Sequence, residues 1–429
     1  MFRVARLAVI AFAITACSQS DAITNVNGPP ATDGASGSAA TSFTRVDLGT
    51  LGGTSSYAAA INSGGVVVGW SETKAGDTHA FRWTPSAGMV DLGTLANEQN
   101  SQAVAILDAS LNSGVQILGM SGREPVVWSA SASISVLPVP LLPAASFAYP
   151  QGFNDRGEVV GFDAGGNLGQ HAWIWSSRDG KSDLSNGVQT ASSEASASAI
   201  TNEGVALLTA RTSTCSRNTD CWRTYLWSRT SGFQPLGVPA KDSEASVTGL
   251  ALNENRTVVG WTQGLRGLAP YRWTVGTGFT VLPNYPSATY AYAAGVNASG
   301  SAVGAALEPI SGSIVATLWP ASGGILRLSP DDPNPSVALA INRGGTVAGW
   351  ASVGGGVNHA VIWVPYSQST KQQTAGLNES ANSTSPPSGP TEVSAPSEGC
   401  LKRMHSLASR QALFACVMEA DRARRTRSK

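Results

Sequence analysis

Charged residues, histidine, cysteine and long apolar runs are all scarce in this sequence. Only 13% of the 429 residues are charged, four are histidine and five are cysteine. After the N-terminus no apolar run approaches the roughly 18 residues that a transmembrane helix needs, so no membrane span is expected. Glycine, with 47 residues, is abundant instead. This composition predicts an all-β fold of short strands and tight turns.

Sequence motifs of known catalytic and metal sites are also missing. The chain has no G-x-S-x-G, H-E-x-x-H or P-loop motif, and no C-x-x-C spacing for zinc. The acidic stretch from Asp331 to Pro335 does not fit an EF-hand loop, and a polar turn is the favoured interpretation. We therefore predict no catalytic residue, no metal ligand and no cofactor.

The N-terminus has the layout of a secretory signal peptide. Basic residues Arg3 and Arg6 precede an apolar run from Leu7 to Ile14, and small residues then lead to Cys17. These three features are typical of export signals, which are removed from the mature protein. Residues 1–16 are therefore predicted to be a signal peptide, and the protein is expected outside the cytoplasm.

The end of this segment, Ile14 to Cys17, resembles the lipobox of bacterial lipoproteins. The resemblance implies that Cys17 becomes the lipidated first residue and anchors the protein to a membrane through its acyl chains. Ordinary cleavage near Ala16 or Ala22 is the alternative. Ser18, rather than Asp, follows the cysteine. By the sorting rule of such lipoproteins this implies the outer membrane, facing either the periplasm or the cell surface.

The other four cysteines are even in number and are expected to form disulfides in an oxidising compartment. Pairing of Cys215 with Cys221 closes a short loop and is predicted. Pairing of Cys400 with Cys416 requires a bend, because 16 residues of continuous helix would hold them about 24 Å apart, beyond disulfide reach.

An internal repeat occupies residues 43–366, between two segments rich in Gly, Ser, Ala, Thr and Pro. We interpret the flanking segments, 17–42 and 367–399, as a flexible tether and a disordered linker. Seven tryptophans, 44 to 52 residues apart, each end a short apolar strand: Trp83, Trp128, Trp175, Trp227, Trp273, Trp319 and Trp363.

Each copy also has an asparagine turn upstream of its tryptophan, followed in most copies by a β-branched strand that ends in glycine. The asparagines are Asn62, Asn112, Asn154, Asn202, Asn253, Asn297 and Asn342. Such turns suit hairpins, because Asn and Gly tolerate positive φ. Four short strands in about 46 residues are typical of a propeller blade. The repeat therefore predicts a seven-bladed β-propeller.

The ends of the repeat predict how the ring closes. The last copy stops near Tyr366 without a fourth strand, whereas residues 43–51 form an unpaired fourth strand before copy one. The N-terminal strand is therefore expected to complete the last blade, which leaves no open edge between the ends. We expect a monomeric propeller.

Several segments resemble the HAF-type extracellular repeats of bacteria. They are residues 47–53 (DLGTLGG), 60–62 (AIN) and 79–83 (HAFRW), with partial copies at 171–173 and 359–361. The resemblance covers about residues 43–366. It implies a propeller-like repeat in exported proteins and brings no reaction or catalytic residues with it.

The C-terminal segment, 400–429, differs from the repeat and predicts a basic amphipathic helix. Its apolar residues recur at helical spacing, and eight basic residues against two acidic ones give it a charge of 8 − 2 = +6. Since the whole chain is neutral, residues 1–399 sum to −6. An acidic propeller without a basic face argues against nucleic acid as a partner. The helix is expected either to be solvated or to touch anionic lipid or the propeller.

Three histidines, His79, His171 and His359, occupy the same place in different copies. Residues that recur with the fold serve the fold, so an inter-strand hydrogen bond is expected of them rather than catalysis. The blade-ending tryptophans are expected in the core or between blades.

A binding site is expected on the face that carries the variable loops, opposite the asparagine turns. We call it the variable-loop face. Its loops are residues 71–78, 163–170, 211–223, 241–244, 284–290 and 331–336. Trp222, Tyr285 and Tyr290 are the candidate ligand-binding residues there.

The function predicted is that of a non-enzymatic envelope lipoprotein whose propeller binds a protein or glycan partner. A glycan-acting hydrolase or lyase and a passive structural envelope component are the alternatives.

Overall fold

The computed structural model describes residues 42–108, 116–143, 145–165, 168–188, 194–212, 221–240, 245–264, 267–309 and 311–366. The predicted signal peptide, tether, linker and basic helix therefore lie outside the described residues, except for Ser42. The described residues form 28 strands and a 3-10 turn at Ser185–Gly187. None of their helices is long and apolar enough to cross a membrane.

The strands form seven four-stranded antiparallel sheets, one for each copy of the repeat. Blade one contains β2 (Gly52–Ile61), β3 (Val67–Thr73), β4 (Thr78–Thr84) and β5 (Gly88–Asp91). Blade two contains β6 (Ser101–Ile106), β7 (Ile117–Ser121), β8 (Glu124–Trp128) and β9 (Ile134–Val136). Blade three contains β10 (Phe147–Phe153), β11 (Val159–Gly165), β12 (Leu168–Ser176) and β13 (Gly180–Asp183).

Blades four to seven follow the same plan. They contain β14 (Ala195–Ile200), β15 (Ala206–Thr212), β16 (Cys221–Ser228) and β17 (Gly232–Pro235); β18 (Ser246–Leu252), β19 (Val258–Gly264), β20 (Gly267–Thr274) and β21 (Gly278–Val281); β22 (Ala291–Val296), β23 (Ala302–Glu308), β24 (Ser313–Trp319) and β25 (Leu326–Arg327); and β26 (Ser336–Ile341), β27 (Val347–Gly354) and β28 (Val357–Pro365), completed by β1 (Phe43–Asp47).

Blade seven confirms the predicted closure of the ring. The N-terminal strand β1 pairs with β28 from Phe43 opposite Pro365 to Asp47 opposite Val361. The Tyr366 N–H also donates to the Ser42 carbonyl over 2.7 Å. The first strand of each blade contacts the first strand of the next around the whole ring. The all-β, seven-bladed propeller predicted from the repeat is therefore correct.

Each innermost strand contains a β-bulge at the same place, and this explains the glycine that recurs in strand two. The prediction that strand two ends in this glycine is wrong, because the strand continues beyond it, as β23 (Ala302–Glu308) does beyond Gly304. In blade six the bulge falls between Ala293 and Gly295. A Cβ on Gly304 would then lie 2.0 Å from the Tyr292 carbonyl oxygen. The corresponding glycines of blades one, two, three, five and seven meet a carbonyl in the same way. Blade four has Leu208 instead, packed among small residues such as Ala195 and Ala197.

Small residues let the innermost strands approach one another after the bulge. In blade three a Cβ on Gly152 would lie 3.2 Å from Cα of Ala199, and in blade six a Cβ on Gly295 would lie 2.8 Å from the Leu339 carbonyl oxygen. All seven residues at this position are Ala or Gly: Ala60, Ala105, Gly152, Ala199, Ala251, Gly295 and Ala340. A larger side chain there would push neighbouring blades apart.

The repeat asparagine makes two kinds of hydrogen bond. Its Oδ1 accepts a backbone N–H four residues on, as Asn253 does from Thr257 over 2.8 Å. Its Nδ2 donates to a backbone carbonyl of the next blade, as Asn253 does to Asn297 over 2.8 Å. One side chain thus shapes its own turn and joins two blades. The same inter-blade bond is made by Asn62, Asn154, Asn297 and Asn342.

Two blades differ from the predicted asparagine register. In blade four the residue that caps the turn is Thr201, whose Oγ1 accepts the Val205 N–H over 3.1 Å, so Asn202 is one residue further along. In blade two the equivalent residue is Leu107, whose N–H bonds Gln116. Asn112 lies outside the described residues. The prediction of an equivalent asparagine in all seven blades is therefore wrong, because motif spacing alone did not reveal the longer turn in blade two.

The repeat tryptophans lie where the sequence predicts, in the interfaces between blades. Trp128 packs against Ala60, Val68 and Ala80 of blade one. Trp363 packs against Val303 and Leu318 of blade six. The Trp363 indole N–H donates to Ser329 Oγ over 2.8 Å, and that of Trp319 donates to the Pro283 carbonyl over 2.7 Å.

Candidate functional site

A collar of side chains surrounds the axis on the side of the bulges that faces the variable loops. It consists of the second residue before each bulge and the residue opposite it on strand two, which share a face of the sheet. The seven pairs are Tyr57–Trp70, Gln102–Met120, Tyr149–Phe162, Ser196–Thr209, Thr248–Trp261, Tyr292–Ala305 and Val337–Trp350.

The collar is aromatic along the sector from blade five to blade one. Trp261, Tyr292, Trp350, Tyr57 and Trp70 belong to one buried cluster that crosses three blade junctions. Tyr57 stacks on Trp70 with ring centroids 5.7 Å apart and meets Trp350 edge-on at 6.1 Å. Aromatic rings fill the wide centre of a seven-bladed ring better than aliphatic side chains and give it a flat floor.

The opposite sector of the collar is mixed: in blade three Tyr149 stacks on Phe162 with ring centroids 5.6 Å apart, and the pair packs against Met120 of blade two, whereas blade four is polar. In blades three and four the Ser196 hydroxyl donates to Gln151 Oε1 over 3.0 Å. Thr209 and Thr224 share a hydrogen bond of 3.4 Å, and Thr224 also donates to the Val247 carbonyl of blade five. Hydroxyl groups therefore form the collar in blade four, between the aromatic pairs of blades three and five.

We call the ring of residues above the collar the mouth. It is formed by the residue two places before the collar residue in each inner strand, together with the strand-two residue beside it. In blade four it carries an ion pair, in which Arg211 Nη1 lies 3.2 Å from Glu194 Oε2. The two side chains are 29% and 34% exposed, so solvent and a ligand can both reach them. Asn358 Nδ2 donates to the Tyr57 hydroxyl over 3.2 Å at the rim of blade seven.

In blade six Tyr290 of the mouth lies next to Tyr292 of the collar, with ring centroids 5.8 Å apart. Burial raises the pKa of both phenols, that of Tyr290 with a further contribution from Tyr292. Both side chains are therefore neutral at physiological pH, and their role is that of hydrogen-bonding aromatic surface rather than of a base.

The structure places the three predicted ligand-binding residues in different surroundings. Tyr290 is 7% exposed and packs in the aromatic cluster of the collar. Trp222 is 2% exposed and lies opposite Arg211, at the level of the mouth. Tyr285 packs instead between blades five and six, in the cluster that holds Trp319. Tyr290 and Trp222 lie at the same level of the ring, two blades apart. The binding role of all three residues stays a prediction.

Sequence reasoning missed Tyr57, Trp70, Trp261 and Trp350, which dominate the collar. A signal was present for the three tryptophans, because each directly follows the recurring glycine of strand two. Only the pairing of strands one and two shows that this position faces the axis.

The repeat histidines make the expected inter-strand bonds with aspartates of strand four. His79 Nδ1 lies 2.8 Å from Asp91, and His359 Nδ1 lies 2.8 Å from Asp47 across the ring closure. The pair in blade three, His171 and Asp183, is longer at 3.4 Å.

Each aspartate also orders the chain that follows it, which explains the Asp-Leu-Gly motif. Asp91 Oδ1 accepts the Gly93 N–H over 2.7 Å, and Asp47 Oδ1 accepts the Gly49 N–H over 2.8 Å. In blade three Asp183 accepts the Ser185 N–H over 2.8 Å.

The acidic stretch near residue 332 is held by arginines. Asp332 pairs with Arg45 of the closing strand, and its backbone carbonyl accepts from Arg327. The Asn334 N–H donates to Asp332 Oδ1 over 2.9 Å, as in a polar turn. Within the described part of the chain no group of three or more His, Cys, Asp or Glu side chains is arranged to hold a metal ion.

The predicted cysteine sites are mostly outside the described residues. Cys221 is 1% exposed at the start of β16. Cys215, the predicted disulfide partner, lies outside the described residues, as do Cys400, Cys416 and the predicted lipidation site Cys17. Both pairings and the lipid anchor stay predictions.

No protein-family model and no curated protein matches this sequence. The fold is similar to puromycin hydrolase, with 14% identity and a TM-score of 0.50 over 71% of this chain and 51% of that one. It is also similar to virginiamycin B lyase from Staphylococcus aureus, with 10% identity and a TM-score of 0.47 over 75% of this chain and 98% of that one. At 14% identity the likeness to puromycin hydrolase shows the fold alone. The resemblance to HAF-type repeats stays a prediction.

Proposed function

We propose that this chain is an exported lipoprotein, anchored through Cys17, whose propeller is a non-catalytic domain that binds an oligosaccharide at the mouth of the collar. The observation that carries the proposal is the aromatic cluster from blade five to blade one together with the polar side chains and the exposed ion pair of blade four in the same ring. A sugar ring has an apolar face of C–H groups and hydroxyls at its edge. It needs a flat aromatic surface and nearby hydrogen-bonding groups at the same level.

The mouth supplies charged and amide groups above that floor. The Glu194–Arg211 pair is about one-third exposed, and neither side chain is fixed by deep burial. A carboxylate and a guanidinium bind vicinal hydroxyl groups through charge-assisted hydrogen bonds, which are stronger than neutral ones. The ligand would therefore rest on the rim of the collar and bond to blade four.

The matched test compares two ion pairs on opposite faces of the ring. Glu194→Gln changes the pair at the mouth, and Glu203→Gln changes the pair with Arg256 on the asparagine-turn face, where Arg256 Nη2 lies 2.8 Å from Glu203. The full chain is first screened on a glycan array, and its best ligand is titrated by calorimetry. We expect Glu194→Gln to weaken binding about tenfold, equal to about 1.4 kcal/mol, and Glu203→Gln to leave it unchanged.

Three results would contradict the proposal in different ways. Equal affinities for both variants would move the site away from the mouth. Release of smaller sugars from the bound glycan would favour the hydrolase or lyase alternative. Absence of any glycan ligand, with a protein recovered by crosslinking on membranes, would favour a protein partner, and recovery of neither would favour a structural envelope component.

A further inference from the structure

Buried side chains close the axis of the ring along most of its circumference. The extra residue of each bulge lies two places after the collar residue of the same inner strand. These seven bulge residues are Ala59, Val104, Gln151, Ser198, Leu250, Ala294 and Leu339. Ala59, Leu250, Ala294 and Leu339 belong to the same buried cluster as the aromatic part of the collar. The axis is therefore filled from blade five to blade one.

Three side chains at the axis stay partly exposed, and all three belong to blades two and three. Among the collar residues, all of which the structure describes, only Gln102 is exposed to this degree. Among the bulge residues only Val104 and Gln151 are. Val104 packs against the aromatic collar pair of blade three. The accessible part of the axis therefore lies against two neighbouring blades and has one apolar wall. We call it the axial pocket.

The polar groups of the axial pocket are two primary amides. Gln151 Oε1 accepts the Ser196 hydroxyl over 3.0 Å, which orients the amide, whereas the buried Nε2 of the same side chain has no hydrogen-bond partner. A buried donor without an acceptor costs free energy, and a ligand that supplies an acceptor recovers this cost. The Gln102 amide adds a further carbonyl acceptor and a further pair of N–H donors.

The axial pocket has no charge of its own. None of the collar or bulge residues is acidic or basic. The ion pair of the mouth, Glu194 with Arg211, lies at a higher level, and its two charges are already matched. A carboxylate or an ammonium group in the axial pocket would lose water without gaining an opposite charge, which is unfavourable. The pocket therefore favours a neutral group.

Among the neutral substituents of sugars, the acetamido group matches the axial pocket best. Its carbonyl oxygen can accept from a glutamine Nε2, and its N–H can donate to a glutamine Oε1. Its methyl group can cover the apolar wall at Val104, as small apolar groups do in ligand pockets. A hydroxyl group has no methyl and would leave that wall uncovered.

We propose that the propeller binds glycans that contain N-acetylhexosamine, and that the acetamido group enters the axial pocket. This inference rests on the proposed function, because it names the class of sugar that the mouth of the same ring binds. Gln151 Nε2 donates to the acetamido carbonyl, Gln102 Oε1 accepts the acetamido N–H, and Val104 packs against the methyl group. The rest of the glycan lies on the mouth.

The experiment compares glycans that differ only at the acetamido group. The full chain is screened on an array that holds each N-acetylhexosamine glycan beside its de-N-acetylated amine and its hydroxyl counterpart, and bound glycans are titrated by calorimetry. We expect the N-acetylated form to bind at least tenfold more tightly than either counterpart. Equal binding of the three forms would overturn this inference and leave the oligosaccharide proposal standing. Binding of no glycan would overturn both.

Gln151→Glu tests the contact directly, because it replaces the unpaired donor with an acceptor of the same shape and keeps an oxygen for Ser196. It should weaken binding of the N-acetylated glycan at least tenfold and binding of the hydroxyl counterpart less than twofold. Gln234→Glu is the matched control, on the exposed part of the outer strand β17, and should change neither affinity. An equal loss for both glycans would contradict the proposed contact.

A second variant decides the question if Gln151→Glu does not fold. Gln102→Leu removes the amide of blade two and keeps a side chain of similar size. It should weaken binding of the N-acetylated glycan at least threefold and leave binding of the hydroxyl counterpart unchanged. No selective loss in this variant would show that the acetamido group does not enter the axial pocket.

Discussion

At the scale of single residues, this fold depends on side chains that satisfy two neighbours at once. The repeat asparagine bonds its own turn and the next blade. The repeat aspartate binds both a histidine and the N–H of a glycine, as Asp91 does with His79 and Gly93. Such residues recur because another side chain of similar size would lose at least one of the two contacts.

The recurring glycine inside strand two is the clearest residue-scale requirement. Gly304→Ala places a Cβ 2.0 Å from the Tyr292 carbonyl oxygen, so the bulge must distort. We expect a loss of about 3 kcal/mol in the free energy of unfolding, at the upper end of typical overpacking costs. Urea denaturation measures it.

Gly64→Ala is the control for this substitution, because the closest atom to its Cβ is Asn62 Oδ1 at 3.4 Å. It should be neutral, or slightly stabilising through the lower entropy of the unfolded chain. Similar losses for both variants would contradict the steric explanation.

At the scale of elements, the strand that closes the ring is held in its blade only by noncovalent contacts, and no short turn links it to the neighbouring strand. The outer strand β5 of blade one continues from β4 through a short turn, whereas β1 and β28 are far apart in sequence. Five backbone register pairs, the His359–Asp47 bond and the Arg45–Asp332 pair hold β1 in place. The closure is therefore more sensitive to side-chain loss than the other outer strands.

The aspartate of this closure gives it a dependence on pH. Burial raises the pKa of Asp47, but hydrogen bonds from His359 and Gly49 and the charges of His359 and Arg45 lower it more, to a net value below 3.8. A lowered carboxyl pKa contributes stability above the unfolded value, and the contribution is lost as pH falls through the folded value. The relevant window lies below about pH 4.

Asp47→Asn tests this contribution. At pH 7 we expect a loss of about 0.5 kcal/mol in unfolding free energy, because the carboxylate is 44% exposed and solvent screens it. The difference from the native chain should shrink as the pH is lowered below 4. Asp91→Asn, in a blade whose outer strand is covalently continuous, serves as control and should cost less. A constant difference from pH 7 to pH 2 would exclude Asp47 ionisation as the cause.

At the scale of the whole molecule, ring closure determines where the chain enters and leaves the propeller. Ser42 and Tyr366 meet at the point where the other blades have the turn between strands three and four. Those turns lie on the asparagine-turn side, opposite the mouth. Ser42 and Tyr366 therefore lie on the side of the ring away from the proposed site.

Membrane attachment is expected to depend on the lipid anchor and not on the propeller. Several acyl chains on Cys17, at roughly 0.8 kcal/mol for each buried methylene, would be sufficient for stable binding. Cys17→Ser should move the protein from the membrane fraction to the soluble fraction and leave its circular dichroism spectrum unchanged. Retention of the variant in membranes would indicate attachment by another segment, such as residues 400–429.

The sequence alone determined the number of blades, their four strands and the strand that closes the ring. These follow from local periodicity, since a turn, a strand and a tryptophan recur in each copy. Each of these features is specified by residues close to it in sequence. The structural role of His79 and His359 was predictable for the same reason. The repeat also limited the search for a site to one face.

Only the tertiary structure decided which side chains meet around the axis. The collar joins residues from all seven blades, and a bulge in each inner strand sets the face on which they lie, which no local pattern reveals. The same applies to Gln102 and Gln151, which lie in neighbouring blades. Local periodicity specifies a blade, but the contacts between blades depend on geometry that arises only when the ring closes.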